Sequence, residues 1–131
     1  MNSTANALTS ALQLVTIIAE SRADTARMPR LARPLVARGF HKRTGMSYEE
    51  WQLFADDLVR RLRAAAGAPV SVRADTVRSL SRLLANYRTA PERAARFIRD
   101  PEMMTMVRTR CQARADGVAQ LLSALRDQGV G

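Results

Sequence analysis

The chain has one cysteine, one histidine and one lysine among 131 residues, and aromatic side chains make up only 5% of it. Each scarcity removes a class of function. The single cysteine, Cys111, forms no internal disulfide and supports no thiolate zinc cluster, and the single histidine, His41, excludes a two-histidine metal site. Met104, Val107 and Val118 share the helix face expected for Cys111, so its thiol reads as buried and inert. Trp51, two tyrosines and three phenylalanines are too few rings for the base-stacking surface of an OB-fold or an RRM. Neither the dinucleotide fingerprint GxGxxG nor the phosphate loop GxxxxGK[ST] occurs; the nearest approach, Gly39 to Gly45, follows no strand. The carboxylate pairs Glu49 with Glu50 and Asp56 with Asp57 are sequence neighbours, which diverge by about 100° around a helix and so read as solvated. A non-enzymatic chain without metal, cofactor or small-molecule substrate is the expectation.

Long apolar runs are also missing. The stretch from Ala11 to Ala19 is interrupted by Gln13 and Thr16 and is too short to span a bilayer, and the first residues lack the positive region of a secretory signal. The default expectation is therefore a cytoplasmic protein with no signal peptide or transmembrane helix, its compartment otherwise unassigned.

What the chain has in excess is arginine. Twenty of its 21 basic residues are arginine, they face 12 acidic residues, and the formal net charge is +9. Residues 22–43 carry seven positive charges against Asp24 alone, and residues 58–99 carry ten against Asp75 and Glu92; the remaining segments sum to less than zero. A GC-rich coding bias, which the 22 alanines also suggest, exchanges lysine for arginine but has no reason to leave cations unbalanced. The excess is thus either a soluble basic surface or the footprint of an anionic partner: phosphates, an anionic membrane or an acidic protein.

Strand signals are absent, and helical periodicity dominates. A first helix is expected over about Thr4–Arg22, with Leu8, Leu12, Val15 and Ile18 on one stripe; Leu14 and Ile17 widen it enough to fill the core or to make a homodimer. Residues 22–46 read as an irregular segment, because Pro29, Pro34, Gly39 and Gly45 punctuate it, with a short helix from Pro34 to Arg38. Ser47 with Glu50 forms a capping box for a helix that buries Trp51, Ala55, Leu58 and Leu62 and ends before Gly67 and Pro69; Asp56 with Arg60 and Asp57 with Arg61 have i, i+4 spacing on it. A further helix is expected over Ser71–Tyr87. Thr89 with Glu92 repeats the capping-box spacing ahead of a separate short helix to about Arg99, with Pro91 just inside its start. Asp100 before Pro101 opens a last helix that stops at Gly129, its apolar positions running from Met104 through Cys111 to Leu125. Gly117 either weakens that helix or lets a neighbour approach closely. The architecture expected is all-α: a single domain over residues 1–131, like a four-helix bundle with one additional short helix and the irregular segment.

Two groups of residues are candidates for contact with an anion. Arg78, Arg82, Arg93, Arg96 and Arg99 lie on successive helices and have no obvious local acids, a disposition suited to a phosphate backbone or, through bidentate contacts, to acidic side chains. The pair of helices resembles a helix-turn-helix only loosely: the connection lacks its turn glycine, and the second helix carries no Asn or Gln to read adenine. Phe40, His41, Lys42 and Arg43 form the second group, in a loop between two glycines. There Phe40 either packs down as an anchor or dips into a lipid interface while the cations meet headgroups. The primary expectation is a basic helical module docking an acidic protein or a nucleic-acid-containing assembly (RNA or DNA). The alternative is membrane targeting through the 39–45 loop. Met103 and Met106, which cannot all join Met104 in one core, fit an adaptable groove or a loosely packed helix end.

Overall fold

In a computed structural model that describes residues 3–128, the chain forms five helices: α1 (Ser3–Ala26), α2 (Ala32–Thr44), α3 (Tyr48–Ala64), α4 (Ala74–Ala94) and α5 (Pro101–Asp127). No strand occurs among the described residues. The expected stop of the last helix at Gly129 lies outside them. The local signals for α3 and α5 act as the sequence implies. Ser47 Oγ accepts from Glu50 N while Glu50 Oε1 accepts from Ser47 N, and Asp100 accepts from Glu102 N with Pro101 in the first turn.

Two helix assignments need correction, and one open choice is resolved. The 22–46 segment is mostly helical rather than irregular: α1 continues to Ala26, and the short helix expected over Pro34–Arg38 is part of a 13-residue α2 that runs through Gly39. Pro34 is tolerated because it lies in the first turn of α2, where its missing N–H has no helical partner to lose. No separate 91–99 helix exists, since α4 runs through Pro91 to Ala94. Instead of capping a new helix, Thr89 Oγ1 is turned back toward Ala85 O at 2.9 Å. Finally, of the two roles open to Leu14 and Ile17, core or homodimer, they take the core. They are 1% and 8% exposed, so the homodimer face inferred from them is not available.

The helices pack in the order α3, α1, α5, α4. Helices α3 and α4 make no close backbone approach to each other, and α2 bridges that side by lying on α4 and reaching both α1 and α3. One core joins all five, with Trp51, Leu14, Ile18, Leu62, Leu80, Leu121 and Leu125 at its centre. Gly117 faces α1 in close contact: a Cβ there would come within 2.7 Å of Ile17 Cδ1 and force that methyl group to shift. Cys111 is buried in this packing, which pushes its thiol pKa up, as expected for an inert position.

The last turns of α1 bond to three other helices. Tyr87 of α4 meets Ser21 Oγ at 2.6 Å, and Tyr48 of α3 meets Thr25 Oγ1 at 2.8 Å. Burial raises both phenols, so each stays neutral and is satisfied by its hydroxyl partner. Asp24 accepts from Arg110 at 3.0 Å and from Arg114 at 2.7 Å, both on α5. Burial alone would raise the Asp24 carboxyl; the hydrogen bonds and charges of Arg114 and Arg110 outweigh it and hold the pKa below its ordinary value. On α3, the expected pairs of Asp56 with Arg60 and Asp57 with Arg61 are replaced by Asp57 with Arg60, while Arg61 donates to Ser71 O.

Asp24→Asn should therefore cost about 1–3 kcal/mol at neutral pH, since the cluster is intermediate between a surface and a buried ion pair. With a folded pKa below the unfolded value of about 3.9, the contribution is present above that value and lost as pH falls through the folded one. In urea unfolding the gap between wild type and variant should be full at pH 7 and close toward pH 2; a gap independent of pH would show that Asp24 acts through shape rather than charge.

Candidate anion-binding face

Helix α2 is seated by a few residues near its C-terminus. Phe40 is 2% exposed and stacks on Tyr48, with ring centroids 4.1 Å apart and planes 17° from parallel. Thr44 is buried; its hydroxyl accepts from Trp51 Nε1 at 2.9 Å and lies 2.9 Å from Phe40 O. The lipid-wedge role for Phe40 is thus corrected: it is a core anchor, and residues 39–44 are helical rather than loop. Their cations, Lys42 and Arg43, and His41 occupy the last turn, where positive charge suits the helix dipole, and Gly45 closes the helix in the left-handed conformation (φ 87°).

Both glycines flanking this stretch make room for arginines. A Cβ on Gly39 would lie 2.8 Å from Arg43 Nη1, and one on Gly45 would lie 2.7 Å from Arg82 Nη1. Arg82 reaches from α4 to the end of α2, donating from Nη2 to Lys42 O at 3.0 Å and from Nε to Arg43 O at 3.2 Å. It caps two terminal carbonyls that the helix cannot satisfy itself. Arg43 Nε donates to Asn86 Oδ1 at 2.7 Å. Arg93 Nη2 approaches the same oxygen at 3.2 Å and Asn86 O at 2.9 Å, while its Nη1 donates to Thr89 Oγ1 at 2.6 Å. Two guanidinium groups therefore converge on one neutral amide. Burial lowers the pKa of both, and for Arg93 the charge of Arg43 adds to the effect.

The two candidate groups inferred from sequence accordingly meet along the α2–α4 contact. Arg82, Arg93 and Arg43 are joined there, with Lys42 beside them. Arg78 is exposed on α4, and Arg96 and Arg99 lie beyond its end, exposed and without hydrogen-bonded partners among the described residues. Among the described residues, His41 alone of the eight titratable candidates has a carboxylate within 4 Å, Glu50 at 3.9 Å. Arginines elsewhere do find acids: Arg22, Arg27, Arg60, Arg73, Arg110 and Arg114 all form ion pairs. Helices α2 and α4 together hold eight Lys and Arg against Asp75 and Glu92, so most of the net charge resides on this packed pair. Asn86 is the member that sequence reading missed. An asparagine deep in an amphipathic helix, at 5% exposure, was the available signal.

The principal surface grooves follow the α4–α5 and α1–α5 seams, and the nine candidate residues lie outside these grooves. Comparison with protein-family models, with curated proteins and with solved structures finds no match to this chain.

Gly39 offers a direct check on the geometry. Alanine in mid-helix gains up to about 1 kcal/mol in propensity, yet its Cβ would lie 2.8 Å from Arg43 Nη1, so the guanidinium has to shift and its bond to Asn86 is disturbed. Gly39→Ala should unfold at equal or higher urea concentration while the Arg43 Nε–H resonance loses its protection from solvent exchange. An unchanged Arg43 signal would contradict the seating described.

Proposed function

We propose that the chain acts as a single, bundle-like, non-enzymatic helical module that docks an anionic partner through the α2–α4 face. The observation that carries this reading is the convergence of Arg43 and Arg93 on Asn86 with no carboxylate in reach, inside the most cation-rich part of the chain. Holding like charges together is unfavourable in isolation and becomes favourable when an anion joins them. Arg78, Arg82, Arg96, Arg99 and Lys42 extend the same charge outward. The partner proposed is the phosphate backbone of a nucleic-acid-containing assembly, with an acidic protein as the related partner that the same arginines would hold by bidentate contacts.

Membrane docking is a second reading, favoured by one observation and now moved from Phe40 to the α4–α5 connection. Phe97 is 86% exposed between Arg96 and Arg99, with Met103 and Met106 at 50% and 62% nearby in sequence. Glu92, Asp100 and Glu102 offset the arginines of that stretch, which is why it ranks second. No helix among the described residues is long and apolar enough to cross a membrane.

A salt-titrated panel of RNA, DNA, neutral liposomes and anionic liposomes separates these readings. Nucleic-acid docking should give binding that weakens steeply with salt, and Arg78→Gln with Arg93→Gln should reduce the log–log slope by about 1 per lost phosphate contact while Phe97→Ala changes little. Capture by anionic liposomes alone, abolished by Phe97→Ala, would replace this reading with the membrane one. Silence throughout, followed by salt-sensitive binding to an acidic polypeptide, would assign the face to a protein partner.

A further inference from the structure

We propose that Arg43 and Arg93, bridged by Asn86, form a seat for one phosphate group within the docking face. The proposal rests on the reading of that face as anion-binding and specifies where a phosphate is held. Three features of the geometry point to it. First, the two guanidinium groups are fixed before any ligand arrives. Asn86 Oδ1 takes Arg43 Nε, Thr89 Oγ1 takes Arg93 Nη1, and the backbone of Asn86 takes Arg93 Nη2. Prior ordering of this kind removes much of the entropy cost of gripping a ligand with long side chains.

Second, donors remain. A guanidinium has five N–H groups; the bond to Asn86 engages only Nε of Arg43, and Nη1 and Nη2 of this exposed side chain, which Gly39 gives room beside the helix, have no acceptor among the described residues. Third, the site lacks compensation. Among the described residues neither arginine has a carboxylate within 4 Å; Glu92, which is exposed, acts on Arg93 only through its field. A phosphate offers several acceptor oxygens to planar donor forks and carries enough negative charge to answer two cations, whereas a neutral ligand leaves their repulsion in place.

Asn86 supplies the decisive substitution. Asn86→Asp keeps the shape and places an internal carboxylate between the two guanidinium groups, so the protein should fold at least as stably and lose its need for an external anion. The titrant is inorganic phosphate, with acetate and chloride at matched ionic strength as comparison arms, followed by Arg side-chain NMR resonances. A short oligonucleotide serves as the phosphodiester arm. Wild type should saturate with phosphate, with shifts at Arg43 and Arg93. Asn86→Asp and Arg43→Gln should each weaken that binding by about tenfold or more, the scale of one charge-assisted contact. Arg63→Gln, which removes one charge from the end of α3, should stay within about twofold of wild type.

Equal weakening by Arg63→Gln, undiminished binding by Asn86→Asp in a folded protein, or acetate binding as tightly as phosphate would each overturn the seat. Failure of the broader reading looks different. Salt-dependent retention of the oligonucleotide without phosphate saturation at Arg43 and Arg93 would remove the seat and leave the face. Phosphate saturation there with no retention of any polyanion would keep the seat and remove macromolecular docking.

Discussion

Three polar side chains within two turns of α1, Ser21, Asp24 and Thr25, tie α1 to α3, α4 and α5 at once. Apolar packing brings these helices together, but it is non-directional. The hydroxyl pairs and the Asp24 cluster supply direction, since a buried tyrosine hydroxyl or a half-buried arginine is costly in any arrangement that leaves it unpaired. They fix how far α1 rotates and slides against its neighbours. With α1, α4 and α5 registered in this way, Asn86 and Arg93 take their places on α4, one residue before and six after Tyr87, in a frame that α2 meets.

Among the arginines at the helix contacts, two kinds differ by what they touch. Arg110 and Arg114 face a carboxylate and serve assembly; Arg114 is mostly buried and its charge is reinforced by Asp24. Arg43, Arg82 and Arg93 touch carbonyl and amide oxygens instead, which accept hydrogen bonds but cancel no net charge. Both kinds are structurally engaged. Of these two kinds, the second leaves its charge uncancelled, and coding bias toward arginine does not distinguish them. The difference lies in where the few acids fall.

Legibility from sequence follows the range of the interactions involved. The start of α3 is written in four adjacent residues, Ser47 to Glu50, and that of α5 in Asp100 and Pro101, so both were readable without the fold. Of helix α2 only the Pro34–Arg38 stretch was legible, because beyond it the local signals oppose a helix: Gly39 favours coil, and the second half is held by Phe40 stacking on Tyr48 and Thr44 bonding Trp51, contacts that exist only after folding. Pro91 misled in the same way. It removes one backbone donor from α4, yet the helix passes through it, and the Thr89 and Arg93 side chains engage carbonyls of Ala85 and Asn86 in the preceding turn. The cations of the candidate face were legible as a charge excess. Their convergence was not, because it joins positions 43 and 93 through residue 86, and no local pattern links them.

The attachment of α2 has a dynamic consequence. Only Phe40 and Thr44 of its thirteen residues are buried, against six buried residues in α3. Few apolar contacts make an element the first to open, at a free energy well below that of global unfolding. When α2 lifts, Arg43 leaves Asn86 and Arg82 loses its two carbonyls, so the cationic cluster dissolves along with the helix. Anything that binds across Arg43 and Arg93 therefore acts as a latch on α2, coupling occupancy of the surface to the slowest-exchanging amides of the helix beneath it.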